Sequence, residues 1–187
     1  MKSILTFIYI TSIAFTSLGQ IGVYELDSLG TRFAEDLIDN ELTESAIVYI
    51  SGCYGCHSLD NCQCDGGLAD LHIIWADKKP KIKKITCCSI FYAKNFADLN
   101  VLNLLKEDSN TIFSSDFKFE YLQTHSDFEI IKLVTKDSIE TIKLKSEFFD
   151  LENKYRKANL EQPAKVFLEE LKKAIRTANQ SEWTVEH

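Results

Sequence analysis

The sequence predicts an α+β fold: an antiparallel sheet covered on one face by an N-terminal and a C-terminal helix, with a cysteine-rich loop stapled by disulfides. Three observations predict it. Amphipathic helical periodicity occurs near both ends of the chain, β-branched runs of strand length lie between them, and six cysteines cluster between Cys53 and Cys88.

Residues 1–19 read as a secretory signal peptide, with Lys2 ahead of an apolar stretch from Ile4 to Phe15 and small residues at Ser17 and Gly19 before the expected cut. At about 12 residues that stretch is too short to span a bilayer, which needs about 20. The mature chain is expected to be a single domain over residues 20–187, secreted or periplasmic and without a membrane span. Removing Lys2 with the signal takes the formal charge from -7 to -8, a balance that argues against nucleic acid as a partner.

Between Ile21 and Glu44 seven acids face a single base, Arg32, while Leu26, Leu29, Phe33 and Leu37 recur at helical spacing. This is an amphipathic helix with an acidic outer face. Ala46 to Ile50 is a short β-branched run ending at Ser51-Gly52, which suits a buried strand that leads into the cysteine loop. Leu71, Ile73 and Trp75 then alternate with His72 and Ile74, a turn follows at Asp77-Lys78-Lys79-Pro80, and Lys81 to Cys88 returns as the partner strand of a hairpin. Ile82 and Ile85 fall on opposite parities, so this strand carries a bulge or is buried on both faces.

Val101, Leu102 and Leu105 suggest a short helix. Phe117 to Leu122, Asp127 to Thr135 and Ser138 to Lys145 read as strands, the last two joined at Lys136-Asp137. Pro163 suits a first helical turn, and Phe167, Leu171, Ala174 and Ile175 form the apolar stripe of a final helix, with Glu169 and Lys173 an i, i+4 pair.

Chemistry concentrates in the cysteines. In an exported chain Cys53, Cys56, Cys62, Cys64, Cys87 and Cys88 are expected to form three disulfides. Cys87 and Cys88 are adjacent on a strand and point to opposite faces, and Cys62 and Cys64 are too close in sequence to pair with each other. The loop from Cys53 to Cys64 should therefore be stapled twice to the Cys87-Cys88 strand, its two remaining cysteines pairing together, with Cys53 to Cys56 one option. Each staple would close a loop of roughly 25 to 35 residues and contribute about 3 kcal/mol in the chain-entropy model.

Cys53-Tyr54-Gly55-Cys56-His57 also has the CxxCH spacing of covalently attached haem c, with Cys53 and Cys56 as thioether sites and His57 as the proximal ligand. No methionine remains after signal removal, so His72, His125 or His187 would supply any second axial ligand. A CxxC directly after a strand is shared with thiol-disulfide oxidoreductases, in which Cys53 would be the attacking thiolate. The helix and the proline that accompany such a pair in thioredoxin-like folds are absent here. A zinc knuckle would draw on Cys53, Cys56, Cys62, Cys64 and His57, and Asn61, Gln63, Asp65 and Gly66 echo the start of a calcium loop whose closing glutamate is replaced by His72.

Phosphate loops, GxSxG elbows and HExxH pairs are missing. His125 reads as a turn residue, His72 as a packed one, and Trp75 and Phe91-Tyr92 as core. Asn179-Gln180-Ser181 is a formal glycosylation sequon. Lys78, Lys79, Lys81, Lys83 and Lys84 form the one dense basic cluster, either a solvated strand edge or a docking patch for an anionic partner. The leading functional reading is an exported, non-catalytic binding or interaction module without a cofactor or metal, directed at another envelope or extracellular protein. The haem protein and the oxidoreductase stand behind it.

Overall fold

The computed structural model describes residues 22–56, 64–65, 67–76, 78–98, 100–120 and 127–186. The expected signal peptide, His57, Asn61, Cys62, Gln63, Gly66, His125 and His187 lie outside these residues.

Helix α1 (Val23–Asp39) begins where the Gly22 N–H donates to the Glu25 carboxylate at 2.9 Å, an interaction that also places negative charge at the positive end of the helix. Val23, Leu26, Gly30, Ala34, Leu37 and Ile38 are its buried stripe. Glu35, Asp36 and Asp39 stand outside, as the spacing predicts. Asp27 departs from that pattern, turning inward to pair with Lys132 at 2.6 Å.

Strands β1 (Ser45–Tyr54), β2 (Gly67–Ala76), β3 (Pro80–Thr86), β4 (Lys94–Asn95), β5 (Asp127–Thr135) and β6 (Ile139–Lys145) form one sheet in the order β4-β3-β2-β1-β5-β6. Every pairing is antiparallel. The α+β architecture and both expected hairpins are present. β3 needs no bulge: its register with β2 runs unbroken from Ile82↔Ile74 to Ile85↔Leu71, and Ile82 and Ile85 are buried on opposite faces.

Burial on both faces corrects the expected placement of the helices. α1 covers the face carrying Val48, Ile50, Leu71, Ile73 and Trp75. The opposite face, with Ile47, Tyr49, Ile74, Ile131 and Ile142, is covered by α2 (Asn100–Phe113) and α4 (Pro163–Asn179). A continuous apolar run such as Ala46 to Ile50, buried at every position, demands cover on both sides, so two helices on one face would have left half of it in water.

Three local expectations also change. β1 does not stop at Ser51-Gly52 but runs on to Tyr54, because β2 and β5 pair with it on both sides as far as Cys53. Residues 117–120 are not a strand. Two buried amides hold them instead, Asn153 donating to the Lys118 carbonyl at 2.9 Å and Asn159 bonding both its N–H and its carbonyl. Asn159 precedes α4 at the end of the short helix α3 (Arg156–Leu160). On α4, Glu169 pairs with Lys165 one turn back rather than with Lys173, and this contact holds its carboxyl below the usual range.

Candidate functional site

Where β1, β2, β3 and β5 end together, the sheet carries a cleft of about 500 Å³ to which no helix contributes a lining residue. Ser51 and Cys53 come from β1, Leu68 and Asp70 from β2, Thr86 from β3, and Asp127 and Glu129 from β5. Alternation along the strands turns these side chains to the same side as Tyr49 and His72.

Register assembles the site. Gly52 faces Phe128 and Cys53 faces Asp127 across the β1–β5 ladder, so two residues far apart in sequence become neighbours. A Cβ on Gly52 would lie 2.3 Å from the Leu68 carbonyl oxygen and 2.7 Å from Phe128 Cζ, so only glycine permits this approach. Phe128 in turn stacks on Tyr54 with ring centroids 4.3 Å apart, which pins the residue between the two motif positions.

Cys53 and Cys56 are joined to each other, with Cα atoms 5.6 Å apart. Cys64 and Cys87 form a second disulfide, with Cα atoms 5.1 Å apart. Both spacings lie within the range that a disulfide requires. The expected pairing of Cys53 with Cys56 and one staple from the loop to the Cys87-Cys88 segment are therefore in place. Cys88 is disulfide-bonded as well.

The two bonds differ in surroundings. Cys64 and Cys87 border the cleft but are 2% and 5% exposed and belong to the core beneath α1, whereas Cys53, which also lines the cleft, and Cys56 are only half-buried. They also differ in what they contribute. Cys64–Cys87 spans a sequence separation of 23 and is worth about 3 kcal/mol in the chain-entropy model; the separation of 3 between Cys53 and Cys56 gives about 2.

Two of the cleft's three acids are neutralised. Asp70 pairs with Lys84 at 3.0 Å, and Glu129 pairs with Lys172 of α4 and accepts from the Tyr49 hydroxyl at 3.4 Å. Burial and the adjacent Glu129 push the Tyr49 hydroxyl far up, so it stays a donor at any ordinary pH. Asp127 is exposed and has no ion-pair partner among the described residues. One of its carboxylate oxygens and the sulfurs of Cys53 and Cys56 all lie within 4.8 Å of one another.

This geometry bears on each ligand set suggested by the sequence. The sulfurs that haem thioethers would require are bonded to each other, and His57 lies outside the described residues. The zinc set is not assembled, since the Cys64 sulfur is committed to Cys87. Asp127, which no local motif marks, is the donor that the fold brings to Cys53 and Cys56.

The lysine cluster does not form a single patch. Adjacent positions on β3 face opposite sides of the sheet, so Lys81 and Lys83 diverge from Lys84. Lys83 is buried, ion-paired with Glu186 and 5.5 Å from the Phe33 ring centroid, while Lys84 is bound to Asp70. Only Lys78 and Lys79 stand exposed at the turn. Trp75 is core as expected, but Tyr92 is 54% exposed, because Phe91 takes the inward position against Trp183.

No protein-family model matches the chain, and no curated protein matches it either. The cleft must be judged on its own chemistry.

Proposed function

We propose that the chain is an exported binding module and that the open sheet end is its ligand surface, directed at another envelope or extracellular protein. Disulfide-bonded cysteines suit an oxidising compartment, and no helix among the described residues is long and apolar enough to cross a membrane. The observation that carries the reading is the cleft itself. Its volume of about 500 Å³ lies in the range of ligand sites, and no helix residue is among those that line it. Asp127 gives this surface a carboxylate with no ion-pair partner among the described residues, so the ligand that fits best presents a cationic group beside an apolar one.

A photo-crosslinking residue at Asp127, compared with one at Leu151, which is 84% exposed and does not line the cleft, tests the proposal. In the native compartment the Asp127 probe should give a discrete adduct that the Leu151 probe does not. Identical patterns from the two positions would refute it.

A further inference from the structure

We propose that Cys53–Cys56 is a thiol-exchange site, opened by dithiols that enter the cleft, with Asp127 controlling the ionisation of the thiols released. This goes beyond the binding proposal and does not depend on it.

Access is the first argument. Thiol–disulfide exchange needs a thiolate to approach a sulfur, and Cys53 and Cys56 are half-buried with Cys53 lining the cleft, whereas Cys64 and Cys87, which also border it, are only 2% and 5% exposed. Cys64 and Cys87 are buried members of the core against which α1 packs. Tolerance is the second. Cys53 is held by ladder pairing on both sides, to Leu68 and to Asp127, so the strand keeps its position when the bond to Cys56 opens.

The chemistry balances without a cofactor. A thiolate of the incoming dithiol attacks one sulfur, the Cys53–Cys56 bond breaks, and its electron pair goes to the other sulfur, which takes up a proton. The second thiolate of the dithiol attacks the mixed disulfide, leaves as part of a new S–S bond, and releases the remaining cysteine as a thiol. The dithiol loses two electrons and two protons overall, and Cys53 and Cys56 gain them. The reverse exchange with a more oxidising disulfide restores the starting state.

Asp127 gives the site its character. Its carboxylate lies within 4.8 Å of both sulfurs, and a negative charge at that distance disfavours a second one on sulfur. The released sulfur is therefore driven to take its proton, and the reduced pair rests as two thiols. Asp127 is a positioning residue here, acting through charge on the cysteines that react.

The full exported chain, equilibrated with graded ratios of reduced to oxidised dithiothreitol and trapped with a maleimide, provides the test. A species carrying two adducts should appear at a ratio at least about tenfold below that needed for further adducts, with the near-UV circular dichroism of the native fold retained. Peptide mapping should place both adducts on Cys53 and Cys56. After such partial reduction, D127N should be alkylated several-fold faster than wild type at pH 7. Appearance of all the thiols together with loss of the native spectrum, or first adducts on any cysteine other than Cys53 and Cys56, the exposed and disulfide-bonded Cys88 included, would overturn the proposal; an unchanged D127N rate would overturn the part given to Asp127. The photo-crosslinking result stands apart from each of these outcomes.

Discussion

His72 lies stacked on Tyr49, ring centroids 6.2 Å apart and planes inclined at 29°, with neither imidazole nitrogen hydrogen-bonded among the described residues. The two are register partners on β2 and β1, so the stack is fixed by the ladder. Burial, reinforced by Lys84 and Lys94 and opposed by Asp70, lowers the His72 pKa from 6.5 to about 4. Below pH 6.5 the unfolded chain binds a proton that the folded chain refuses. The stability present above that pH is lost as the pH falls toward 4, by about 3 kcal/mol in all. In urea denaturation across this window, H72F should lack that share of the pH dependence. Equal slopes for wild type and variant would contradict the assignment.

Gly52 should not tolerate even a methyl group. Because the nearest obstacle is the Leu68 backbone oxygen at 2.3 Å, the strands rather than a side chain must move, and G52A should cost about 2–3 kcal/mol. Combining it with F128A removes the second contact, at 2.7 Å, but not the first. Partial rescue at most is expected in chemical denaturation. Full rescue would show that Phe128 alone imposes the requirement.

Asn159, 1% exposed, accepts from the Lys118 N–H at 3.1 Å and donates to the Lys118 and Phe148 carbonyls, each at 2.7 Å. N159A leaves these buried groups unpaired and should cost about 2–4 kcal/mol, a fall in melting temperature of roughly 10 °C. A shift of a degree or less would mean that water replaces the amide without penalty.

The two disulfides should separate in stability measurements. Replacing Cys64 and Cys87 with alanine should cost about 3 kcal/mol or more, since a buried cross-link over a long loop is lost, while the same change at Cys53 and Cys56 should cost about 2 kcal/mol or less. Denaturant midpoints for the two double variants check the order, and a reversed order would contradict it.

The helices α1 and α4 and the two hairpins were legible because their periodicities are local, and Pro163 marks the start of α4 directly. The two-sided cover was also partly written in the sequence, in the unbroken apolar run of β1 and the opposite parities of Ile82 and Ile85. Which helix takes which face depends on the path of the chain, and no local pattern encodes it. The Phe117-Lys118-Phe119 alternation imitates a strand, but its backbone partners are Asn153 and Asn159, 35 and 41 positions away from Lys118.

The site was legible in its cysteines and not in its acid. Cys53 and Cys56 announce themselves by spacing, whereas Asp127 joins them only through the β1–β5 register, a relation that no window of the sequence contains. The lysine cluster shows the opposite error. Its density suggested a patch, although Lys83 and Lys84, being adjacent on a strand, had to part to opposite faces.

The account rests on an intact bond between Cys56 and the cleft residue Cys53, and peptide mapping, without reduction, of protein made in an export-competent host tests it most directly. The predicted result is a Cys53–Cys56 bond within one peptide, a separate Cys64–Cys87 bond, and no mass added at either motif cysteine. Cys53 joined to any other cysteine, or a haem adduct on Cys53 and Cys56, would contradict the account at its centre.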